Sequence, residues 1–196
     1  MKLWQKPPKL ATLALAALLL SGVALGEEAK QDYRLLFQAG SYNFSAKRPG
    51  RAAEEISGFG SYSLSFGVGF WKQYVVDAGM TLVSSQGFGG DTATGFDLGL
   101  RYYPMSTSGY QSLSSGPMSM HFSSVLRPYA GVALRQRQFL TTLTTTYVGP
   151  GVNVGLDWLF RDKVFANVEF RYDFLTGQSE STATQMNLLV GIGLHL

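Results

Sequence analysis

Ten charged residues stand at alternating positions within otherwise apolar segments. They are Arg34, Arg101, Arg135, Arg137 and Arg171 against Asp77, Asp97, Asp157, Glu169 and Asp173. A charge taken out of water is costly unless paired, so five of each sign point to an internal ion-pair network. A second arrangement is His121-Phe122-Ser123, where an imidazole two residues from a hydroxyl could act as base and nucleophile. A third is the cluster Lys47, Arg48 and Arg51, which could hold phosphate groups through charge-assisted hydrogen bonds. The sequence carries no phosphate loop, metal-ligand cluster or nucleic-acid motif, and Asp91 with its neighbouring glycines does not make a calcium loop. The expectation is no catalytic site, no metal, no cofactor and no nucleic-acid partner.

The elements that carry these residues alternate with period two. In the last eleven residues, Met186, Leu188, Val190, Ile192, Leu194 and Leu196 are apolar, while Asn187, Leu189, Gly191, Gly193 and His195 lie between them. Successive side chains of a strand point to opposite faces, so this is a strand with one apolar face. Seven further segments repeat the pattern. They are about 33–44, 58–71, 74–84, 95–103, 127–140, 147–160 and 164–174. In the second, Tyr62, Leu64, Phe66, Val68 and Phe70 oppose Ser61, Ser63, Ser65, Gly67 and Gly69. In the fourth, Phe96, Leu98, Leu100 and Tyr102 oppose Asp97, Gly99, Arg101 and Tyr103. In the seventh, Ala166, Val168, Phe170, Tyr172 and Phe174 oppose Asn167, Glu169, Arg171 and Asp173.

Alternation leaves open which face is inside, since a soluble barrel alternates too. Three features favour the inverted arrangement. The segments approach or exceed the ~9–11 residues a strand needs to cross a bilayer, well beyond the ~5–6 of soluble strands. The polar face is rich in Gly and Ser, which suit the crowded interior of a narrow barrel. Aromatic residues gather near strand ends: Trp71, Tyr74, Tyr102, Trp158 and Phe160 toward one rim, Tyr62, Phe96, Tyr172 and Phe174 toward the other. The sequence therefore predicts an all-β fold, an eight-stranded antiparallel up-and-down transmembrane β-barrel over residues 27–196.

Residues 1–26 read as a signal peptide. Lys2, Lys6 and Lys9 precede an uncharged apolar run, Leu10 to Leu20, and Ala24-Leu25-Gly26 offers small residues at a cleavage site. Three of the sixteen basic residues and none of the thirteen acidic ones lie there. The mature chain is then neutral, and the basic balance of the full sequence is no evidence for nucleic-acid binding. The chain has no cysteine, hence no lipoprotein anchor site and no disulfide.

Long and short connections alternate along the chain. Those at 71–74 and 161–163 are tight, whereas 45–57, 84–94 and 175–184 are longer and are expected outside the cell, with both termini in the periplasm. The Ser-rich stretch 104–126 departs from this rule as an insertion between the fourth and fifth strands. It is expected to be a disordered or partly helical periplasmic appendage, or in part an extension of the fifth strand.

The phrases Gly99-Leu100-Arg101-Tyr102-Tyr103, Arg127-Pro128-Tyr129-Ala130-Gly131-Val132-Ala133 and Phe165-Ala166-Asn167-Val168-Glu169-Phe170-Arg171-Tyr172 resemble the small eight-stranded outer-membrane β-barrel family. This is the OmpA-like, porin-like group of Gram-negative bacteria. The resemblance covers essentially the whole mature chain and consists of strand patterns without a catalytic signature. It implies residence in the bacterial outer membrane, insertion by the barrel assembly machinery, and contact with outer-membrane lipids and lipopolysaccharide. For the last, Lys47, Arg48 and Arg51 are the candidates. That family usually ends in an aromatic residue and has short periplasmic turns; Leu196 and the 104–126 insertion depart from both. The His121-x-Ser123 spacing also resembles the outer-membrane lipid A 3-O-deacylases. Ser124 stands where they have Asn, Arg135 stands where an acidic partner is expected, and the pair falls in a link. His195 is expected at the membrane interface. The functional expectation is a monomeric, non-catalytic barrel serving envelope integrity or surface interaction through its loops. The alternative is a narrow transport barrel for small or hydrophobic solutes.

Overall fold

A computed structural model describes residues 32–47, 49–50, 52–70, 73–84, 92–105, 110–115, 118–123, 126–140, 145–161, 163–177 and 181–196. The proposed signal peptide, Arg48, Arg51 and Trp71 lie outside these residues. Among the described residues ten strands form: β1 (Asp32–Lys47), β2 (Glu54–Phe70), β3 (Tyr74–Ser84), β4 (Thr92–Tyr102), β5 (Tyr110–Ser115), β6 (Met118–Ser123), β7 (Leu126–Leu140), β8 (Thr145–Arg161), β9 (Val164–Gly177) and β10 (Thr182–His195). Eight of them close into a barrel in the order β1-β10-β9-β8-β7-β4-β3-β2. Every neighbouring pair is antiparallel, and β1 closes the ring by pairing with β2 on one side and β10 on the other. Closure removes the free edges that an open sheet would present, as a bilayer demands of a spanning sheet.

The barrel is inside out. Along β10, Leu188, Val190 and Ile192 are exposed, Ile192 at 64%, whereas Asn187 and Leu189 between them are buried. Phe37, Leu64, Met80, Phe96, Leu134, Val154, Phe170 and Phe174 carry the same apolar exposure around the wall. The buried set is polar: Arg34, Gln38, Ser63, Asp77, Arg101, Asn153, Asp157, Glu169 and Arg171. An exterior this apolar is paid back only by lipid. Placing Asp at Ile192 sets a carboxylate against hydrocarbon and is expected to cost on the order of 2 kcal/mol. The variant should lose the heat-modifiable gel band of a folded barrel and accumulate uninserted; a normal band would contradict the outward assignment.

The strands run further than the sequence pattern implies. The 45–57 connection contracts to 48–53, because β1 continues to Lys47 and β2 begins at Glu54. The 175–184 connection likewise contracts to 178–181. The reason at the first site is a bulge. Gly40 pairs with Ser61 but Ser41 pairs with Phe59, which leaves Gly60 unpaired. Its φ of 137° lies where side chains rarely go, and a Cβ there would sit 2.3 Å from the Ser84 carbonyl oxygen. The extra residue reverses the inside–outside parity of β2. Below it Ser61, Ser63 and Ser65 point inward; above it Ile56 packs against the interior while Phe59 is 89% exposed. A period-two reading that runs straight through Gly60 places 54–59 on the wrong faces, and so reads them as loop.

Among its described residues the 104–126 insertion is not helical, and only Leu126 extends a barrel strand, opening β7. It holds β5 and β6, which pair only with each other as a two-stranded antiparallel sheet.

Candidate functional site: the filled lumen

The inward positions of eight strands converge on one narrow interior. All ten residues of the expected charge network lie there, and each joins at least one ion pair. Arg34 Nη1 approaches Asp157 Oδ2 at 3.3 Å. Arg101 bridges two carboxylates, with Nε 3.1 Å from Asp77 Oδ1 and Nη2 3.3 Å from Glu169 Oε2. Arg171 bonds Glu169 through Nε and lies 3.3 Å from Asp97 Oδ2. Arg137 Nη1 donates to Asp97 Oδ1 at 2.5 Å, and Arg135 pairs with Asp173. Asp97 is thus shared by Arg135, Arg137 and Arg171.

Neutral groups knit the pairs together. Thr81 donates to Asp97 Oδ2 at 2.7 Å. Arg171 Nη2 donates to Gln38 Oε1 at 2.5 Å, and Gln38 Nε2 donates to Asn167 Oδ1 at 2.6 Å. Asn167 Nδ2 donates to Asp157 Oδ1 at 2.6 Å and to the Tyr129 hydroxyl at 2.9 Å. The hydroxyls of Tyr103 and Tyr129 donate to Asp157 and Glu169 respectively. A carboxylate offers about four lone-pair sites, so each can serve a guanidinium and a neutral donor together. Pairing plus hydrogen bonding is what makes buried charge tolerable.

The network is flanked by apolar layers that a census of charges does not reveal. Toward the β1–β2 link, Tyr42, Phe44, Val83, Ala93, Phe139, Tyr147, Leu175 and Ala183 form one buried cluster inside the barrel. Phe44 and Phe139 pack tilted with ring centroids 4.6 Å apart, and Tyr147 meets both edge-on at 5.7 Å. Toward the chain termini, Val75, Tyr103 and Tyr129 form a second cluster. There the cations lie over rings: Arg34 is 5.1 Å from the Tyr103 centroid and Arg101 is 5.0 Å from that of Tyr129. Phe165 fills the space over Gly193, where a Cβ would come within 2.1 Å of its ring. The signal for these layers was in the sequence, since Tyr42, Phe44 and Phe139 share parity with inward polar positions on their own strands.

At the terminal mouth the structure adds a group that spacing did not suggest. Arg127 is 1% exposed, its Nη2 lies 2.9 Å from His195 Nε2, and it sits 5.6 Å from the Phe165 centroid. His195 Nδ1 lies 2.7 Å from Asp32 Oδ1. Arginine has no acceptor, so Nε2 accepts and Nδ1 carries the proton donated to Asp32. His195 therefore belongs to the inner mouth rather than to the lipid interface. Counting Asp32 and Arg127, the described interior holds six arginines and six carboxylates.

A cavity of about 20 Å³, room for one water, lies among Ser63, Asp77, Asp97, Arg101, Arg135 and Glu169. Among the described residues no cluster of His, Cys, Asp and Glu could hold a metal. His121 and Ser123 lie on β6, opposite Ser112 and Tyr110 of β5 and outside the barrel sheet. Lys47 is exposed at the far rim, where Glu54 and Glu55 are exposed on the neighbouring strand.

No protein-family model matches the chain. No curated protein matches it either. Solved structures do. The N-terminal β-barrel domain of Pseudomonas aeruginosa OprF matches with a TM-score of 0.50 at 13% identity, over 83% of this chain and 97% of that one. Neisserial surface protein A matches at 14% identity with a TM-score of 0.49, over 83% and 97%. The outer membrane protein OprG of Pseudomonas aeruginosa matches at 13% identity with a TM-score of 0.49, over 83% and 95%. At these identities the likeness is one of fold. With its lipid-type exterior, charged interior and closed eight-stranded ring, the chain is an integral membrane β-barrel of the bacterial outer-membrane type.

Proposed function

We propose that the protein is a closed, non-catalytic, monomeric barrel of the outer membrane that contributes to envelope integrity and to contacts at the cell surface. The observation that carries this is the stacking of three kinds of filling across one lumen. Apolar rings cross it toward the β1–β2 link, paired charges occupy the middle, and Tyr103 and Tyr129 close the side of the termini. Eight strands enclose an interior just wide enough for side chains, and here side chains occupy it. Water and ions meet no continuous path. The long strands carry the β1–β2 rim beyond the apolar band. At that rim Lys47, with Arg48 and Arg51 in the adjoining link, offers cations to lipopolysaccharide phosphates. Insertion would follow the route of other such barrels, through the assembly machinery.

Purified protein in a planar bilayer should show no stable unitary conductance. Steady, reproducible channels in the unaltered protein would overturn the closed reading in favour of transport. Release of acyl chains from lipid A, lost on His121→Ala, would overturn the non-catalytic one.

A further inference from the structure

Phe59 is 89% exposed, whereas Phe37, Phe96 and Phe174 on the same outer wall reach 52–60%. The bulge puts it there. Because Gly60 is left unpaired, Phe59 stands opposite Ser41 and faces out; an unbroken register would set it opposite Tyr42 and turn it in. Bulges at barrel rims often serve to re-aim a single side chain in this way.

The surroundings of the ring are polar. Residues opposite each other across an antiparallel pair share a face. The outward rows beside Phe59 therefore run Ser41–Phe59, Asn43–Ser57 and Ser45–Glu55. Ser57 and Glu55 are exposed, and Ser41 and Asn43 are half-buried. These side chains are short, which leaves the ring face open, and together they offer hydroxyl and amide donors with hydroxyl, amide and carboxylate acceptors. On the side toward the chain termini the wall turns apolar at once. Tyr62 is the next exposed residue of β2, and Leu188 of β10 stands opposite Ser41. The patch thus straddles the edge of the lipid-facing band nearest the β1–β2 link.

That combination selects among occupants. A hydrocarbon chain would cover Phe59 but leave Asn43, Ser57 and Glu55 without partners, at the cost of their desolvation. A phosphate at the ring would meet the Glu55 carboxylate. A sugar satisfies both halves of the patch. The face of an aromatic ring is negative, and the axial C–H bonds on one side of a pyranose are slightly positive, so the two stack. The equatorial hydroxyls then point sideways, toward the serines, the amide and the carboxylate. Continuity with the lipid-facing wall gives the source of the sugar. We propose that Phe59, with Ser41, Asn43, Ser57 and Glu55, binds the sugar headgroup of a glycolipid in the surrounding leaflet, whose acyl chains lie against the wall below. The inference rests on the surface-contact reading above and adds a sugar subsite beside the cations offered to phosphate.

Isotope-labelled full-length barrel in phosphocholine bicelles would be titrated with monoglucosyl diacylglycerol, which carries a sugar and no phosphate. The backbone amide signals of Ser41, Asn43, Ser57 and Phe59 should shift and saturate. Those of Val132 and Val152, across the ring on β7 and β8, should stay. Phe59→Leu keeps an apolar side chain but removes the aromatic face. It should weaken the titration at least about three-fold with the heat-modifiable band unchanged, and Phe59→Trp should preserve it. Methyl glucoside, the sugar without its lipid, should act only at far higher concentration. The proposal is overturned if shifts appear equally all round the wall, or if Phe59→Leu leaves the titration unchanged. It is overturned too if phosphatidic acid moves the patch as strongly as the glucosyl lipid, or if methyl glucoside matches that lipid. The response of the Lys47 amide to phosphatidic acid reads the phosphate contact separately, so failure of the sugar subsite and failure of the cation reading are told apart.

Discussion

Replacing Asp97 by Asn should destabilise the barrel more than any other single conservative change in the lumen. Asp97 faces three guanidiniums: Arg137 at 2.5 Å, Arg171 at 3.3 Å and Arg135 at 3.9 Å. Asparagine keeps the shape but removes the charge and turns an NH2 group toward one or more of them. Arg135 and Arg137 would then share Asp173, and Arg171 would depend on Glu169. Breaking a buried pair from one side costs about 3–5 kcal/mol, because the partner stays buried and uncompensated. The temperature at which the folded band converts to the unfolded one in a heat-modifiability series should fall clearly. A second change decides whether charge is the cause. Adding Arg137→Met removes the excess cation and restores six-to-six balance less one pair, so much of the loss should return. An unchanged transition in Asp97→Asn, or no recovery in the double variant, would show that the network is solvated and energetically slack.

What the sequence disclosed depended on whether a residue obeys period two. The ten paired charges were readable because each lies on a strand whose opposite face is apolar, and lumen position follows from parity alone. Tyr103, the residue after β4, was readable in the same way, and its hydroxyl serves Asp157. Two kinds of residue escaped. The first were apolar residues at inward positions, such as Phe44 and Phe139, whose parity pointed inward but whose residue type did not mark them as lumen residues. In an inverted barrel an apolar side chain has no compulsory face, since both the lipid and a packed lumen accept it. The second were residues at strand ends. Arg127, Asp32 and His195 meet only because β7, β1 and β10 end at one mouth, and strand order around the ring is needed to bring them together. The β5–β6 hairpin escaped because six-residue strands rich in Ser fall below the contrast that alternation needs. Its Ser-rich composition was nevertheless plain.

The bulge at Gly60 is where one residue governs the placement of a whole segment, and Gly60→Ala tests it. At φ 137° an L side chain is strained, and the Cβ would lie 2.3 Å from the backbone oxygen of Ser84, which cannot rotate away as a side chain could. Strain of this kind costs on the order of 1–3 kcal/mol when the backbone is held. The chain has another way out, which is to lose the bulge. Regular pairing past Ser61 would then shift 54–59 by one residue and exchange their faces. Ile56 would leave the interior cluster that includes Tyr42 and Phe44, and Phe59 would turn inward against it. Either route loosens the packed ring nearest the β1–β2 link. The variant should insert, because the membrane-spanning part of β2 below Ser61 is untouched. It should unfold at lower temperature, and proteinase added to intact cells should cut within 48–60 faster than it cuts the parent. A Gly60→Ala protein with the parent's melting temperature and rate of cleavage would mean that the bulge does not set the register of the rim. The same change is the sharpest check on the closed lumen. If the outer apolar ring seals the barrel, loosening it should admit small-ion leakage in planar bilayers, even with all twelve interior charges in place.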